Sequence, residues 1–313
     1  MPTQQPCVDD HTREIRDFIN DARKHYELRR DKGKFSQVCS SLDAIEDSEQ
    51  AITAFGKSDF GKDVALGYLV IYGVLQAAFL QQDAVWNLCE ALDIPRDKSA
   101  YPSLSVIREI RNDSVGHPTK RDRGKKAATT FSHITQISMS VNGFDLLTFG
   151  DDGSYSSRRV DLPTLIGEQR QAVGDILLKV TKALKKERET HKARFRMKKL
   201  VQFFPPTLSY YCNKVSEGVS GGDFAPAPPS LAAIKAAIAG FRAAVVERNP
   251  AYIERQEHDY ATIDHVISSL ERFLDAGDGD PLTARIFVEH LSTRIAEMRG
   301  LAQQIDDEYA TRD

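Results

Sequence analysis

The residues best suited to chemistry lie in one short stretch, IREIRNDSVGHPTKR, at positions 107–121. It contains Arg111, then Asn112 directly after it, and His117 after five intervening residues. An imidazole exchanges protons near neutral pH, and a guanidinium stabilises negative charge that develops on a phosphoryl group. The pair is therefore suited to the cleavage of a phosphodiester, although an arginine a few residues before a histidine is a common spacing.

The same stretch also reads as the end of a helix. Gly116 is expected as a left-handed C′ residue, Pro118 prevents continuation, and His117 suits the negative end of the helix dipole. On an ideal α-helix, six steps of about 100° place Arg111 and His117 about 120° apart. They would share a face only if the last turn is wound more loosely, which Gly116 permits.

Hydrophobic periodicity predicts the helices that must position this stretch. Helices are expected over about residues 10–30, 35–56, 63–92 and 104–112. The third is apolar on nearly every side, interrupted by Gln76, as is typical of the central helix of a bundle. Its longest apolar run, residues 66–80, is shorter than the ~20 residues that span a bilayer. No secretory signal is recognised at the start, so a cytoplasmic protein without membrane association is expected.

Beyond the motif, from Phe131, apolar residues recur at about every second position, as is typical of β-strands. Residues 131–161 carry Asn142-Gly143 and Asp152-Gly153 between apolar runs, which predicts a small antiparallel β insertion. A long helix is expected from Leu162 to about residue 200. The Gly- and Pro-rich residues 216–230 are interpreted as a linker. The sequence thus predicts a mainly α-helical protein with a domain at 1–215, a linker at 216–230 and a C-terminal helical segment at 231–313.

Charge is distributed unevenly along the chain, although the net charge is only -3. Residues 179–199 hold ten basic and two acidic residues, a net charge of +8, whereas residues 250–313 hold six basic and fourteen acidic residues, a net charge of -8. The run at 179–199 is either a surface for the RNA backbone or a solvated helix face. The loop beside the motif is the better candidate for phosphate contacts. Its RNA-binding candidates are Lys120, Arg121, Arg123, Lys125 and Lys126.

No motif for a metal or cofactor is found. The four cysteines include no C-x-x-C pair, and Cys39 and Cys89 fall on apolar helix faces, where they are interpreted as small core residues and not as nucleophiles. The sequence contains no P-loop, no G-x-G-x-x-G and no H-E-x-x-H. We therefore expect neither a metal nor a cofactor.

The pattern R-N-x-x-x-G-H-P, following the apolar helix over residues 68–84, resembles the HEPN superfamily, whose signature is R-x(4–6)-H on a helical domain. The resemblance covers about residues 35–117. It implies metal-independent cleavage of RNA by a homodimer in which two copies of the motif meet. His117 would act as general base or acid at the ribose 2′-hydroxyl, Arg111 would contact the scissile phosphate, and Asn112 would orient the histidine or the phosphate. The product would carry a 2′,3′-cyclic phosphate.

The resemblance leaves a second function open. Many members of the superfamily have lost activity, so the alternative is a non-catalytic HEPN-like module that dimerises or binds nucleic acid or protein. The partners expected are RNA, a second copy of the chain and an antitoxin or defence-system partner, since members commonly act as toxins or against phage. The β insertion either shapes a substrate groove or covers the bundle. Separate ion pairs at Arg111 and His117 would favour the non-catalytic alternative.

Overall fold

The computed structural model describes residues 8–122, 128–221, 225–254 and 256–311. The protein is mainly helical with one small antiparallel sheet, so this part of the predicted fold class is confirmed. The helices are α1 (Val8–Asn20), α2 (Ala22–Arg29), α3 (Lys32–Phe55), α4 (Val64–Ala91), α5 (Pro102–Arg111), α6 (Leu162–Phe195), α7 (Thr207–Val219), α8 (Ala227–Arg248), α9 (Ala251–Glu254), α10 (Glu257–Ala276) and α11 (Pro281–Ala310). The strands are β1 (Thr130–Ile134), β2 (Gly143–Gly150) and β3 (Tyr155–Asp161).

Aspartate side chains set the starts of several helices. The carboxylates of Asp21, Asp31 and Asp63 accept hydrogen bonds from backbone N–H groups in the first turns of α2, α3 and α4. Such caps satisfy donors that the helix itself leaves unpaired. The cap at Asp21 divides the first predicted helix into α1 and α2.

α4 is the central helix of the first half of the chain, as its all-round apolar character predicts. It packs along α3 and also against α5. Buried side chains of α4 such as Ile71 and Leu75 meet Ile107 and Ile110 of α5. By length and hydropathy alone, α4 and α8 could each cross a membrane, a criterion that core helices of globular proteins also satisfy.

A buried polar network crosses the same bundle. Gln169 of α6 donates to the carbonyl oxygen of Ala78 at 2.9 Å and to Gln81 Oε1 at 3.1 Å, and it accepts from Gln82 at 2.8 Å. Gln81 in turn donates to Glu49 of α3 at 3.0 Å. Each glutamine is fully buried and hydrogen-bonded, so the network fixes how α3, α4 and α6 pack together.

The sheet has the order β1-β2-β3, with both pairs antiparallel. One face buries Ile134, Phe144, Leu146 and Val160 in a cluster shared with α3, α4 and α5. β1 ends at Ile134, and a 3₁₀ turn follows in which Ile137 is almost fully exposed. The chain then returns to β2 through a tight turn, which is closed by backbone hydrogen bonds between Ser140 and Gly143.

The chain divides into two compact units, residues 1–185 and 186–313, so the division lies within α6. This differs from the predicted boundary at 216–230. Those residues include the end of α7 and the start of α8. Gly218 lets α7 approach Ala227 closely, and the prolines at 228 and 229 stand in the first turn of α8, where no N–H is needed. Glycine and proline here serve helix packing and helix initiation.

The second unit encloses its own core and a buried ion pair. Arg248 Nη1 lies 3.0 Å from Asp306 Oδ1, and both side chains are almost fully buried. Asp306 also accepts from the backbone N–H groups of Leu200 at 2.8 Å and Val201 at 3.0 Å. Part of the basic run at 179–199 is used inside this unit, since Arg194 pairs with Glu247 at 2.8 Å. The charge of Arg194 is thus paired with an acidic residue of the same unit.

Candidate functional site

The motif lies where α5 ends in a π-helical turn, Asn112–Gly116. The backbone N–H of His117 donates to the carbonyl oxygen of Asn112 at 2.7 Å, five residues back. The looser winding that Arg111 and His117 require is therefore present. The prediction that Gly116 adopts a left-handed conformation was wrong, because its φ is not positive.

The guanidinium of Arg111 is held by neutral groups. Its Nε and Nη2 donate to Gln76 Oε1 of α4 at 3.0 and 2.8 Å, and Nη1 donates to Asn112 Oδ1 at 3.0 Å. The group also lies over the ring of Phe79, 4.3 Å from its centroid. These contacts fix the guanidinium in one place.

Gly116 provides the space for this arrangement. A Cβ atom on residue 116 would lie 2.6 Å from Arg111 Nη1, which is closer than van der Waals contact allows. The guanidinium therefore lies against the residue immediately before His117. Gly116 is needed for its lack of a side chain and not for its backbone freedom.

The positive charge of Arg111 is not neutralised within the described ranges, where it makes no ion pair. Arg108, one turn earlier and over the same Phe79 ring at 4.4 Å, instead pairs with the carboxylate of Asp83. The surface ion pair considered for Arg111 from the sequence is not formed with any described residue. An amide oxygen orients a guanidinium without cancelling its charge, so Arg111 can still attract an anion.

His117 is exposed, and its ring makes no hydrogen bond with the described part of the chain. Its backbone leaves the helical conformation, with φ of -139° and ψ of 47°. The imidazole is thus accessible to a substrate. Asn112 orients Arg111, whereas the sequence had suggested that it orients the histidine or the phosphate.

Arg121, predicted to bind RNA, forms ion pairs within the structure, which argues against a role in binding phosphate. It pairs with Glu109 at 2.8 Å and with Asp113 at 2.6 Å, and little of its side chain is exposed. Burial opposes its charge, but the hydrogen bonds to Glu109 and Asp113 outweigh burial and raise the pKa of Arg121. Its charge is therefore neutralised, and it fastens the segment after His117 to α5.

Of the other predicted RNA-binding residues, only Lys120 can be described. It is exposed and makes no ion pair with any described residue. Arg123, Lys125 and Lys126 lie outside the described residues. Lys120 is thus the cation of this loop that the structure offers to a phosphate.

Sequence reasoning missed Gln76 and Phe79, the two α4 residues that hold Arg111. The signal for Gln76 was its position as the one amide within the apolar run at 66–80. Phe79 gave no signal, because a phenylalanine on an apolar helix is expected in the core whether or not an arginine covers it.

Other side chains with reactive groups are placed differently. Cys89 is buried, and burial raises the pKa of its thiol to about 11, so it stays protonated and lacks nucleophilic character. Among residues 8–122, 128–221, 225–254 and 256–311, no three His, Cys, Asp or Glu side chains come together as a metal-ion site.

Together these contacts make a site in which a fixed cation lies against Gly116, and the next residue, His117, has an accessible imidazole. The cation can bind a phosphoryl oxygen, and the imidazole can accept or donate a proton. No protein-family model, curated protein or solved structure matches the chain, so the site's chemistry follows from its own residues.

Proposed function

We propose that this protein is a metal-independent endoribonuclease of HEPN type that acts as a homodimer. The observation that carries the proposal is the state of Arg111: its guanidinium is positioned by Gln76, Asn112 and Phe79, yet no described carboxylate neutralises it. It lies against Gly116, next to the exposed His117. An enzyme that stabilises a negatively charged phosphoryl transition state needs such a positioned and uncompensated cation.

The reaction follows from these two groups. The ribose 2′-oxygen forms a bond to phosphorus as the bond from phosphorus to the 5′-oxygen breaks. The 2′-hydroxyl gives up its proton and the leaving 5′-oxygen gains one, and His117 performs one of these transfers. Arg111 stabilises the charge on the non-bridging oxygens. The products are a 2′,3′-cyclic phosphate and a 5′-hydroxyl, with no added water in this step.

An exposed apolar stripe on α4 supports the dimer. Leu69, Tyr72 and Leu80 are exposed and share one helix face with Gln76, which holds Arg111. A second copy packed on this stripe would bring two copies of the motif close to one two-fold axis. Two histidines could then share the acid and base roles. The resemblance extends the proposal to a cytoplasmic toxin or antiphage role, with an antitoxin or defence-system partner.

The same stripe favours the second candidate, a non-catalytic module that dimerises through α4 or binds another macromolecule there. A non-catalytic module explains why Leu69 and Leu80 are exposed. It gives no reason why the charge of Arg111 is uncompensated or why His117 is accessible. Cleavage therefore separates the two candidates.

The test is cleavage of end-labelled tRNA and total RNA in EDTA, with the product ends mapped. We expect His117→Ala to lower the rate about 10²- to 10⁴-fold and Arg111→Ala about 10²- to 10³-fold. The wild-type products should carry a 2′,3′-cyclic phosphate. A substrate with a single 2′-deoxy sugar at the cut site should resist cleavage there.

Arg108→Ala is the matched control. It removes an arginine from the same helix and the same Phe79 ring, but one already neutralised by Asp83. It should retain most of the activity. Equal cleavage by all variants would indicate a contaminating nuclease. Absence of cleavage by the wild-type dimer on all these RNAs would favour the non-catalytic module.

A further inference from the structure

The outer face of the sheet carries a row of exposed aromatic side chains. The register places Phe131 opposite Phe149 and Phe149 opposite Tyr155, so one ring from each strand lies in the same row. The three residues are 39%, 40% and 61% exposed, respectively. The other face of the sheet already buries its apolar side chains against the helices. A one-sided sheet needs only one apolar face, so the aromatic row serves another purpose.

The rings form one continuous surface. The centroids of Phe149 and Tyr155 are 5.2 Å apart. His133 stacks on Phe149 with an interplanar angle of 16° and a centroid distance of 5.7 Å. The surface therefore crosses all three strands and presents flat aromatic groups to the solvent.

The charged side chains of this face make contacts within the protein. Arg159 of β3 donates to Asp145 at 3.4 Å, and Asp161 accepts from the N–H of Thr164 at 3.1 Å. The aromatic rings, and not these charges, are what this face offers to a ligand.

The platform, as we term Phe131, His133, Phe149 and Tyr155, is joined directly to the candidate site. The N–H of Ser132 donates to the carbonyl oxygen of Pro118 at 2.7 Å, and residues 121 and 130 form a β-bridge. The chain that leaves His117 thus runs beside β1. Lys120, which immediately precedes Arg121 in this segment, is exposed.

We propose that the platform binds unpaired bases of single-stranded RNA and directs the strand to Arg111 and His117. Bases stack on aromatic side chains when they are not already stacked in a duplex, while the exposed Lys120 can contact a phosphate. The proposal rests on the proposed function and adds the substrate class, which is single-stranded RNA with splayed bases. Duplex RNA, whose bases are stacked internally, would not use the platform.

The test is the affinity of the full-length protein for a fluorescently labelled single-stranded oligoribonucleotide, measured by anisotropy in a His117→Ala background that prevents cleavage. Tyr155→Ala should raise Kd about 5- to 30-fold, which is the loss of one base-aromatic contact. Tyr155→Phe should retain the affinity, because the ring remains. Tyr155→Leu should behave like alanine, since it keeps apolar area but loses the flat ring.

Ile137→Ala is the control, because Ile137 is an exposed apolar residue in the β1–β2 connection but is not part of the row. It should bind like the parent. Far-UV circular dichroism checks that each variant is folded. Retained affinity in Tyr155→Leu, equal weakening for a duplex oligonucleotide, or no binding by the parent would each overturn the platform.

The platform and the nuclease can fail separately. Normal RNA cleavage by Tyr155→Ala together with unchanged affinity would reject the platform and leave the nuclease standing. Binding that depends on Tyr155 in a protein that does not cleave RNA would reject the nuclease and retain the platform.

Discussion

At the scale of single residues, the decisive feature is that Arg111 is oriented by an amide and not by a carboxylate. Gln76 accepts two hydrogen bonds from it and leaves its charge intact. Arg108 and Arg121, on either side of it in the sequence, are both neutralised by carboxylates. Three arginines that look alike in the sequence thus differ in what they can offer to a phosphate.

Gln76→Glu should neutralise Arg111, as Arg108 and Arg121 are already neutralised. The new carboxylate would pair with Arg111 without changing its position. We expect RNA cleavage to fall about 10²- to 10³-fold while the melting temperature stays equal or rises. The control is Gln50→Glu, which adds the same charge at an exposed site on α3. Full activity in Gln76→Glu would show that the charge of Arg111 is not used.

Gly116→Ala tests the positioning of the guanidinium. The added methyl group would lie 2.6 Å from Arg111 Nη1 and would displace this flexible group. The rate of cleavage should fall about 10- to 100-fold, with a change in stability below about 1 kcal/mol. Gly167→Ala on α6 is the control, since nothing lies within 4 Å of its added Cβ. An unaffected rate in Gly116→Ala would mean that the observed position of Arg111 is not the active one.

At the scale of elements, α4 performs three tasks on two sides. One side builds the core, whereas the solvent-facing side carries Gln76 for the site together with the exposed Leu69 and Leu80. The central helix of the bundle is therefore also the element through which a second copy could reach the site.

Charges placed on the stripe should separate two copies. We expect Leu69→Lys together with Leu80→Lys to convert a dimer to a monomer in size-exclusion chromatography with light scattering. The cleavage rate should fall with the dimer fraction, because desolvating a lysine in an apolar interface is costly. Leu282→Lys, at an exposed leucine of α11, is the control and should leave the mass unchanged. A wild-type protein that is monomeric at all concentrations would contradict the dimer.

The buried glutamine network should contribute to the stability of the bundle. Gln169→Leu would remove three buried hydrogen bonds, which join Gln169 to Gln81 Oε1, to Gln82 Nε2 and to the carbonyl oxygen of Ala78. We expect the free energy of unfolding to fall by about 2–4 kcal/mol, measured by urea titration. Gln303→Leu at an exposed position should change it by less than about 0.5 kcal/mol. If the free energy of unfolding of Gln169→Leu also fell by less than about 0.5 kcal/mol, the network would add no stability.

At the scale of the whole molecule, the two units have separate cores and separate buried polar clusters. The chain's single tryptophan, Trp86, belongs to the first unit. The buried pair of Arg248 and Asp306 belongs to the second. A substitution in the Arg248–Asp306 pair therefore acts on the second unit, whereas the fluorescence of Trp86 reports on the first.

Asp306→Ala should destabilise the second unit by about 3–5 kcal/mol, because Arg248 keeps its buried charge without a partner. We expect part of the helical signal in circular dichroism to melt earlier, while the fluorescence transition of Trp86 keeps its midpoint. Glu247→Ala, at an exposed pair, is the control and should have little effect. Equal shifts of both signals would show that the units unfold together.

The sequence by itself determined the helices, the small antiparallel sheet and the position of the motif at a helix end. These depend on local patterns: the apolar period of α4, the cap at Asp63, and Pro118 after the turn. It also placed Arg111, Asn112 and His117 together as one candidate site. The resemblance to the HEPN superfamily and the function it implies stay predictions.

Only the tertiary structure decided which cations are free and which are paired. Gln76 and Arg111 are 35 residues apart, and their contact depends on how α4 and α5 cross. The neutralisation of Arg121 depends on how the chain folds back on α5, and the aromatic row depends on strand register. The periodicity of apolar residues indicates which side of a helix or strand is buried. Hydrogen bonds, however, form only at distances of about 3 Å, so the partner of each side chain is determined only when the elements pack together.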